Sequence, residues 1–396
     1  MINVSKLYCG LAGPSDHLRY AASAVAGPVV AYNCTRRCNL RCEHCYSRSG
    51  CDKAPHELTP LQARRLLAQL KDARCPVVLF SGGEPLLRDD LFDLLAEAQR
   101  LGVRTVLSTN GTLIDRDAAQ RLADLAVAYV GVSVDGPPAL HDAFRQSEGS
   151  FQRAVEGIGL CQRVGLRTGL RFTITPQNAG HVPFVFDLAR DLGVRRICFY
   201  HLVRSGRAEA GAVPSLVQTR SAVDTILSKT ALFTDWVDEV LTVDNHADGP
   251  YLLLRMQREG HPGFEQARIL LEKVGGNKVG QGIACVGWEG NVYPDQFWRD
   301  YVLGNVNDES FGEIWRNASD PVLWRLGHKD QFADPRCRQC RWFTLCKGNY
   351  RFLGTDPADG NWLNEPPCYL TDAETQDGVS LPLGIQGRPL KPPPAL

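Results

Sequence analysis

The chain is expected to fold as an α/β protein, a partial (β/α)6 TIM-like barrel followed by a smaller cysteine-rich domain. Three observations lead there. Six short apolar runs alternate with amphipathic stretches, which argues for a parallel sheet with helices outside it. The residues best suited to chemistry come directly after those runs, where strand ends of such a barrel build a site. A second group of cysteines lies near the other end of the chain.

Strands are expected at 29–33, 76–80, 103–108, 128–134, 168–174 and 196–202. Of the stretches between them, 60–72 opens with Thr59 as N-cap and Pro60 at the first helical position, and 89–101 carries leucines at helical spacing. Six units instead of eight leave one side open for a bulky substrate. The expected organisation is an N-terminal extension (1–27), the barrel (28–205), a helical connecting segment that roofs the pocket (206–280), the cysteine-rich domain (281–376) and a proline-rich mobile tail (377–396).

Composition narrows the class. A chain of 396 residues with 44% hydrophobic content supports a large domain plus a smaller one. Lys and Arg balance Asp and Glu at 44 each, so no net basic field argues for nucleic acid. Neither a signal peptide nor a long charge-free apolar run is present, so no membrane span and a cytoplasmic location are expected. The fourteen cysteines then read as metal ligands and buried thiols, not as disulfides.

After the first strand comes Cys38-Asn-Leu-Arg-Cys42-Glu-His-Cys45-Tyr46; after the second, Ser81-Gly82-Gly83-Glu84-Pro85; after the third, Ser108-Thr109-Asn110-Gly111. Three thiolates would leave one iron of a four-iron cluster without a protein ligand and open to a small molecule. Structural zinc, with His44 or Cys34 as a fourth ligand, is the alternative the spacing leaves open.

Taken in order, these motifs resemble the radical S-adenosylmethionine (SAM) superfamily over residues 29 to about 203. The resemblance implies a 4Fe-4S cluster on Cys38, Cys42 and Cys45 whose open iron is chelated by the methionine end of SAM. One electron then yields a 5′-deoxyadenosyl radical that takes a hydrogen atom from substrate. It further implies that Glu84 pairs with the SAM ammonium beside Gly82 and Gly83, which let backbone approach the ligand, and that Ser108, Asn110 and Tyr46 border the cofactor, Tyr46 against adenine. Ser133 and Asp135 are candidates for the ribose, although an Asp-Gly turn explains Asp135 as well. Arg171 is a candidate for a carboxylate of SAM or substrate, with outward solvation as the alternative.

Near the C-terminal end, Cys337, Cys340, Cys346 and Cys368 have two, five and twenty-one residues between them, enough to close an auxiliary cluster or a zinc site. Joined to the barrel, this segment resembles the SPASM/twitch extension. Where the form with two auxiliary clusters has further cysteines, this chain has Asp295 and Tyr350. Two 4Fe-4S clusters in all are therefore expected. Cys285, Cys9, Cys34, Cys51, Cys75, Cys161 and Cys198 are expected to be buried thiols.

Runs such as Phe199-Tyr-His-Leu-Val-Arg204, Asp244-Asn-His-Ala-Asp248 and Tyr293-Pro-Asp-Gln-Phe-Trp298 resemble the tetrapyrrole-modifying branch of the superfamily. That resemblance implies removal of the acetate side chains of 12,18-didecarboxysiroheme to give iron-coproporphyrin III, with a flavodoxin or ferredoxin as external electron donor. Rim arginines Arg204 and Arg207, the aromatics Phe297 and Trp298, and His201 or His246 as an iron ligand are the candidate substrate contacts. Removal of propionates in heme d1 synthesis, modification of a peptide, and a non-catalytic iron–sulfur or zinc protein are the alternatives.

Overall fold

A computed structural model of the chain describes residues 1–12, 27–208, 210–317, 319–352, 362–364 and 366–376. The tail expected at 377–396 and most of the N-terminal extension lie outside them. Strands β1 (Ile2–Asn3) to β11 (Gly304–Asn305) form one sheet in the order β1-β8-β7-β6-β5-β4-β3-β2-β9-β10-β11. Its centre is the expected set: β2 (Val29–Thr35), β3 (Val78–Gly82), β4 (Thr105–Thr109), β5 (Val130–Ser133), β6 (Thr168–Ile174) and β7 (Arg196–His201), all parallel.

The helices cover the outer face because their apolar residues recur at helical spacing. Pro60–Asp72 starts at a capping box in which Thr59 and Gln62 satisfy each other's backbone N–H, and it buries Ala63, Leu66, Leu67 and Leu70. Leu91–Arg100 buries Leu91, Leu94, Leu95 and Ala98. These residues join Val30, Phe80, Leu107, Val132, Leu170 and Phe199 of the strands in one continuous core.

The connecting segment is not purely helical. Between the helices Leu216–Leu232 and Asp248–Arg258 it contributes β8 (Glu239–Val243), which pairs parallel with β7 in the register Ile197 to Val240. Through β8 the segment lengthens the barrel wall by a seventh parallel strand, and β1 closes that edge antiparallel to it. At the other edge, β9 (Ile283–Val286) runs parallel to β2, and β10 (Asn291–Tyr293) and β11 continue antiparallel. The C-terminal domain is thus fused to the barrel through the sheet, which brings residues after β10 over the strand ends. No helix among the described residues is long and apolar enough to cross a membrane.

Candidate active site

The loop after β2 carries Cys38, Cys42 and Cys45, and backbone bonds from all sides fix its path. The Cys38 N–H donates to the Gly50 carbonyl at 2.7 Å and closes the loop at its base. Glu43 N–H donates to the Phe144 carbonyl at 3.2 Å. The Arg207 guanidinium donates from Nε to the Cys42 carbonyl at 2.9 Å and from Nη1 to the Ser49 carbonyl at 2.7 Å, and its own N–H reaches the Cys45 carbonyl at 3.0 Å. Arg207 therefore clamps the cysteine loop, and its side chain also borders the cleft above it.

The glycines after β3 serve the same packing. Gly82 has φ +125, and a Cβ on Gly83 would lie 2.1 Å from the Arg37 carbonyl oxygen. Glycine is needed at Gly83 because two loop backbones touch there, and both glycines also border the cleft. Gly83→Ala is expected to push the cysteine loop off the strand end and to cut iron incorporation severalfold; iron content after anaerobic reconstitution checks this.

Glu84 is fully buried and lies behind the cleft wall. Its carboxylate accepts from Thr109 Oγ1 at 2.8 Å, Asn110 N–H at 2.8 Å and Leu86 N–H at 3.2 Å. These bonds tie the loop after β3 to the end of β4. The expectation for Asp135 is corrected: Arg145 donates to it from Nε at 2.8 Å and Nη2 at 2.5 Å, and Thr173 N–H approaches at 3.3 Å, so it anchors the wall behind the site instead of facing a ribose. The guanidinium holds the Asp135 carboxyl below its usual range against the opposing effect of burial.

A cleft opens over the loop. Cys38, Cys42, Cys45, Tyr46, Gly82, Gly83, Ser108, Asn110, Ser133, Arg171 and His201 line it, as expected, together with Phe297 from the C-terminal domain. Tyr46 donates to Asn33 Oδ1 at 2.9 Å and meets Phe297 edge to face, so it stands at the seam between the two domains. Arg171 lies 4.5 Å over the Tyr200 ring, inside the barrel and not out in solvent.

The thiol loop suits an iron–sulfur cluster. The Leu40 N–H points at Cys38 Sγ at 3.4 Å and Asn110 Nδ2 at 3.9 Å, the kind of donors that steady thiolate charge. Burial pushes the Cys38 thiol up to about 12, so loading metal there must release a proton. At the far end, Asp334 caps the turn that carries Cys337, and Tyr350 bonds Asp334 at 2.8 Å. Burial raises the Cys346 thiol well above its ordinary range, and the charges of Cys368, Cys337 and Cys340 add to that rise. Among the described residues no three His, Cys, Asp or Glu side chains are set to hold a single metal ion.

Other expected contacts fall elsewhere. His246 donates from Nδ1 to Asn349 Oδ1 at 3.1 Å, away from the cleft, so it is not placed to bind a substrate iron. His201 has Nε2 committed to Asp248 Oδ2 at 2.8 Å, and Tyr369 donates to the other oxygen of Asp248 at 2.7 Å. Arg204 and Trp298 line a second chamber instead of the cleft. Cys34, Cys75, Cys161, Cys198 and Cys285 are buried as expected, whereas Cys51 is exposed and Cys9 half-buried.

Asp244 has no role that the sequence alone assigns. It sits just past β8 at φ +74, borders the cleft, and has a buried Oδ2 without a partner. Burial pushes its carboxyl up to about 6, against the lowering by Arg351. The folded state thus holds this proton more tightly than the unfolded chain. The stability it contributes is whole below the ordinary value of 3.8 and is lost as pH rises through about 6. Asp244→Asn is expected to stabilise the protein by ~3 kcal/mol at pH 7 and not at all near pH 3.5, as urea unfolding at the two pH values will show.

The Radical SAM superfamily pattern matches residues 32–189, and that of the SPASM iron–sulfur cluster-binding domain matches 278–341. The chain is 43% identical to Fe-coproporphyrin III synthase of Methanosarcina barkeri over 94% of its length and 98% of that protein. It is 39% identical to pre-heme d1 synthase of Dinoroseobacter shibae over 88% of its length and 87% of that protein. Among solved structures, anSMEcpe with bound AdoMet superposes with a TM-score of 0.65 at 20% identity, over 85% of this chain and 94% of that one, a likeness of fold. The strand order, the cysteine loop at the barrel mouth and these matches together make the chain a radical SAM enzyme with a C-terminal SPASM extension, in the family of Fe-coproporphyrin III synthase and pre-heme d1 synthase.

Proposed function

We propose that this enzyme removes the acetate side chains of 12,18-didecarboxysiroheme and yields iron-coproporphyrin III. The observation that carries this reading is the end-to-end match to Fe-coproporphyrin III synthase, which spans the barrel, the connecting segment and the C-terminal domain alike. SAM on a cluster held by Cys38, Cys42 and Cys45 supplies the hydrogen-abstracting radical when reduced. The protein's part is to hold that cluster under a cleft closed by Phe297, and to orient SAM by the loop backbone at Gly82 and Gly83 and by Ser108, Asn110 and Ser133.

An auxiliary 4Fe-4S cluster on Cys337, Cys340, Cys346 and Cys368 makes two in all. Two facts support that count: Asp295 is occupied by Arg351 at 2.8 Å, and Tyr350 by Asp334, so neither position offers a thiolate for a third cluster. A flavodoxin or ferredoxin is the proposed electron source.

Incubation with 12,18-didecarboxysiroheme, SAM and dithionite without oxygen is expected to give a product that has lost two acetate groups by mass spectrometry. Loss of propionates instead, the outcome favoured by the 39% match to pre-heme d1 synthase, would replace this reading.

A further inference from the structure

A second chamber adjoins the cleft and shares Tyr46, Val203 and Phe297 with it. Its wall carries Arg36, Arg48, Arg204, Arg299 and Arg351, and Asp300 is the only carboxylate among the described residues that line it. Arg351 is matched by Asp295. Arg36 and Arg48 make side-chain bonds only to backbone, at the Arg48 carbonyl (3.5 Å) and the Gly206 carbonyl (3.0 Å). Arg299 lies 4.3 Å over the Trp288 ring with its nearest carboxylate, Glu289, at 4.0 Å, and its buried Nη1 has no acceptor.

A buried guanidinium N–H without an acceptor is costly, and cations facing one space repel unless an anion joins them. Aromatic surface between those cations suits a flat apolar body that bears several carboxylates. We propose that this chamber seats the carboxylate-bearing edge of the macrocycle, with Arg36, Arg48 and Arg299 pairing with side-chain carboxylates, while the edge to be cleaved passes Phe297 into the cleft over the cysteine loop. This rests on the tetrapyrrole reading above and adds the residues that recognise the substrate. Arg36 and Arg48 flank the cysteine motif in the loop after β2, whereas Arg299 comes from the segment after β10; only the fold brings the three together.

The test is absorbance titration of the reconstituted full-length protein with iron-coproporphyrin III. Arg48→Gln and Arg299→Gln are each expected to raise Kd about tenfold, and Arg36→Gln with Arg48→Gln by more. Iron-deuteroporphyrin, with two carboxylates instead of four, should show a smaller change. If Arg299→Gln does not fold, the double variant of the two more exposed arginines decides. Unaltered Kd in that double variant, with tight binding by the wild type, overturns the chamber as the recognition site. No binding of iron-coproporphyrin III by the wild type overturns the tetrapyrrole reading itself.

Discussion

Cys42→Ala is expected to abolish reductive SAM cleavage, by at least ~1,000-fold, because two thiolates do not hold a four-iron cluster at the barrel mouth. Iron and sulfide should fall from about eight of each per chain to about four, the auxiliary cluster remaining. The contrast is Cys34→Ala. Cys34 lies four residues before Cys38 but is buried within β2, with its thiol on the Ser81 carbonyl at 3.4 Å. Its loss creates a small core cavity costing ~1–2 kcal/mol and leaves iron content unchanged. Full SAM cleavage by Cys42→Ala would place the cluster elsewhere.

Removal of Arg145 is expected to have the largest effect on stability. Its guanidinium is buried, 2.5 Å from the fully enclosed Asp135 carboxylate, and its backbone carbonyl accepts the Arg41 N–H of the cysteine loop at 3.4 Å. Arg145→Leu leaves Asp135 charged and unpaired in the barrel wall, which costs about 3–5 kcal/mol. Asp135→Asn combined with Arg145→Gln should recover much of that loss, since no lone charge is left behind. Denaturant unfolding of the single and double variants measures both. Equal losses would mean that the pair matters for packing and not for charge.

The barrel was legible because each of its six strands is an apolar run bounded by turn residues, and the observed ends differ from the expected ones by about two residues. β8 was missed: Glu239-Val-Leu-Thr-Val243 is short, opens on a charge and lies between two helices, so local pattern alone gave it no weight. Which loops carry chemistry was also legible, since the cysteines, the Gly-Gly-Glu-Pro run and Asn110 follow strands directly.

What individual side chains do there was less so. Glu84, Asp135 and Arg207 have the charges a ligand wants, but a barrel mouth built from loops must also satisfy its own buried backbone, and these three are used for that. Their partners, Asn110, Arg145 and the Cys42 carbonyl, lie 26, 10 and 165 residues away, and nothing in a single sequence records such pairings. Asp244 carried no signal in the sequence, because β8, the strand it follows, was itself not legible.

The most direct measurement is electron paramagnetic resonance of the anaerobically reconstituted, dithionite-reduced protein before and after SAM is added. With the auxiliary cysteines Cys337 and Cys340 replaced by alanine so that one cluster remains, the signal should shift on addition of SAM, as a ligand enters the open iron held by Cys38, Cys42 and Cys45. A signal that SAM leaves unmoved, from protein with a full complement of about four irons and four sulfides, would contradict the account.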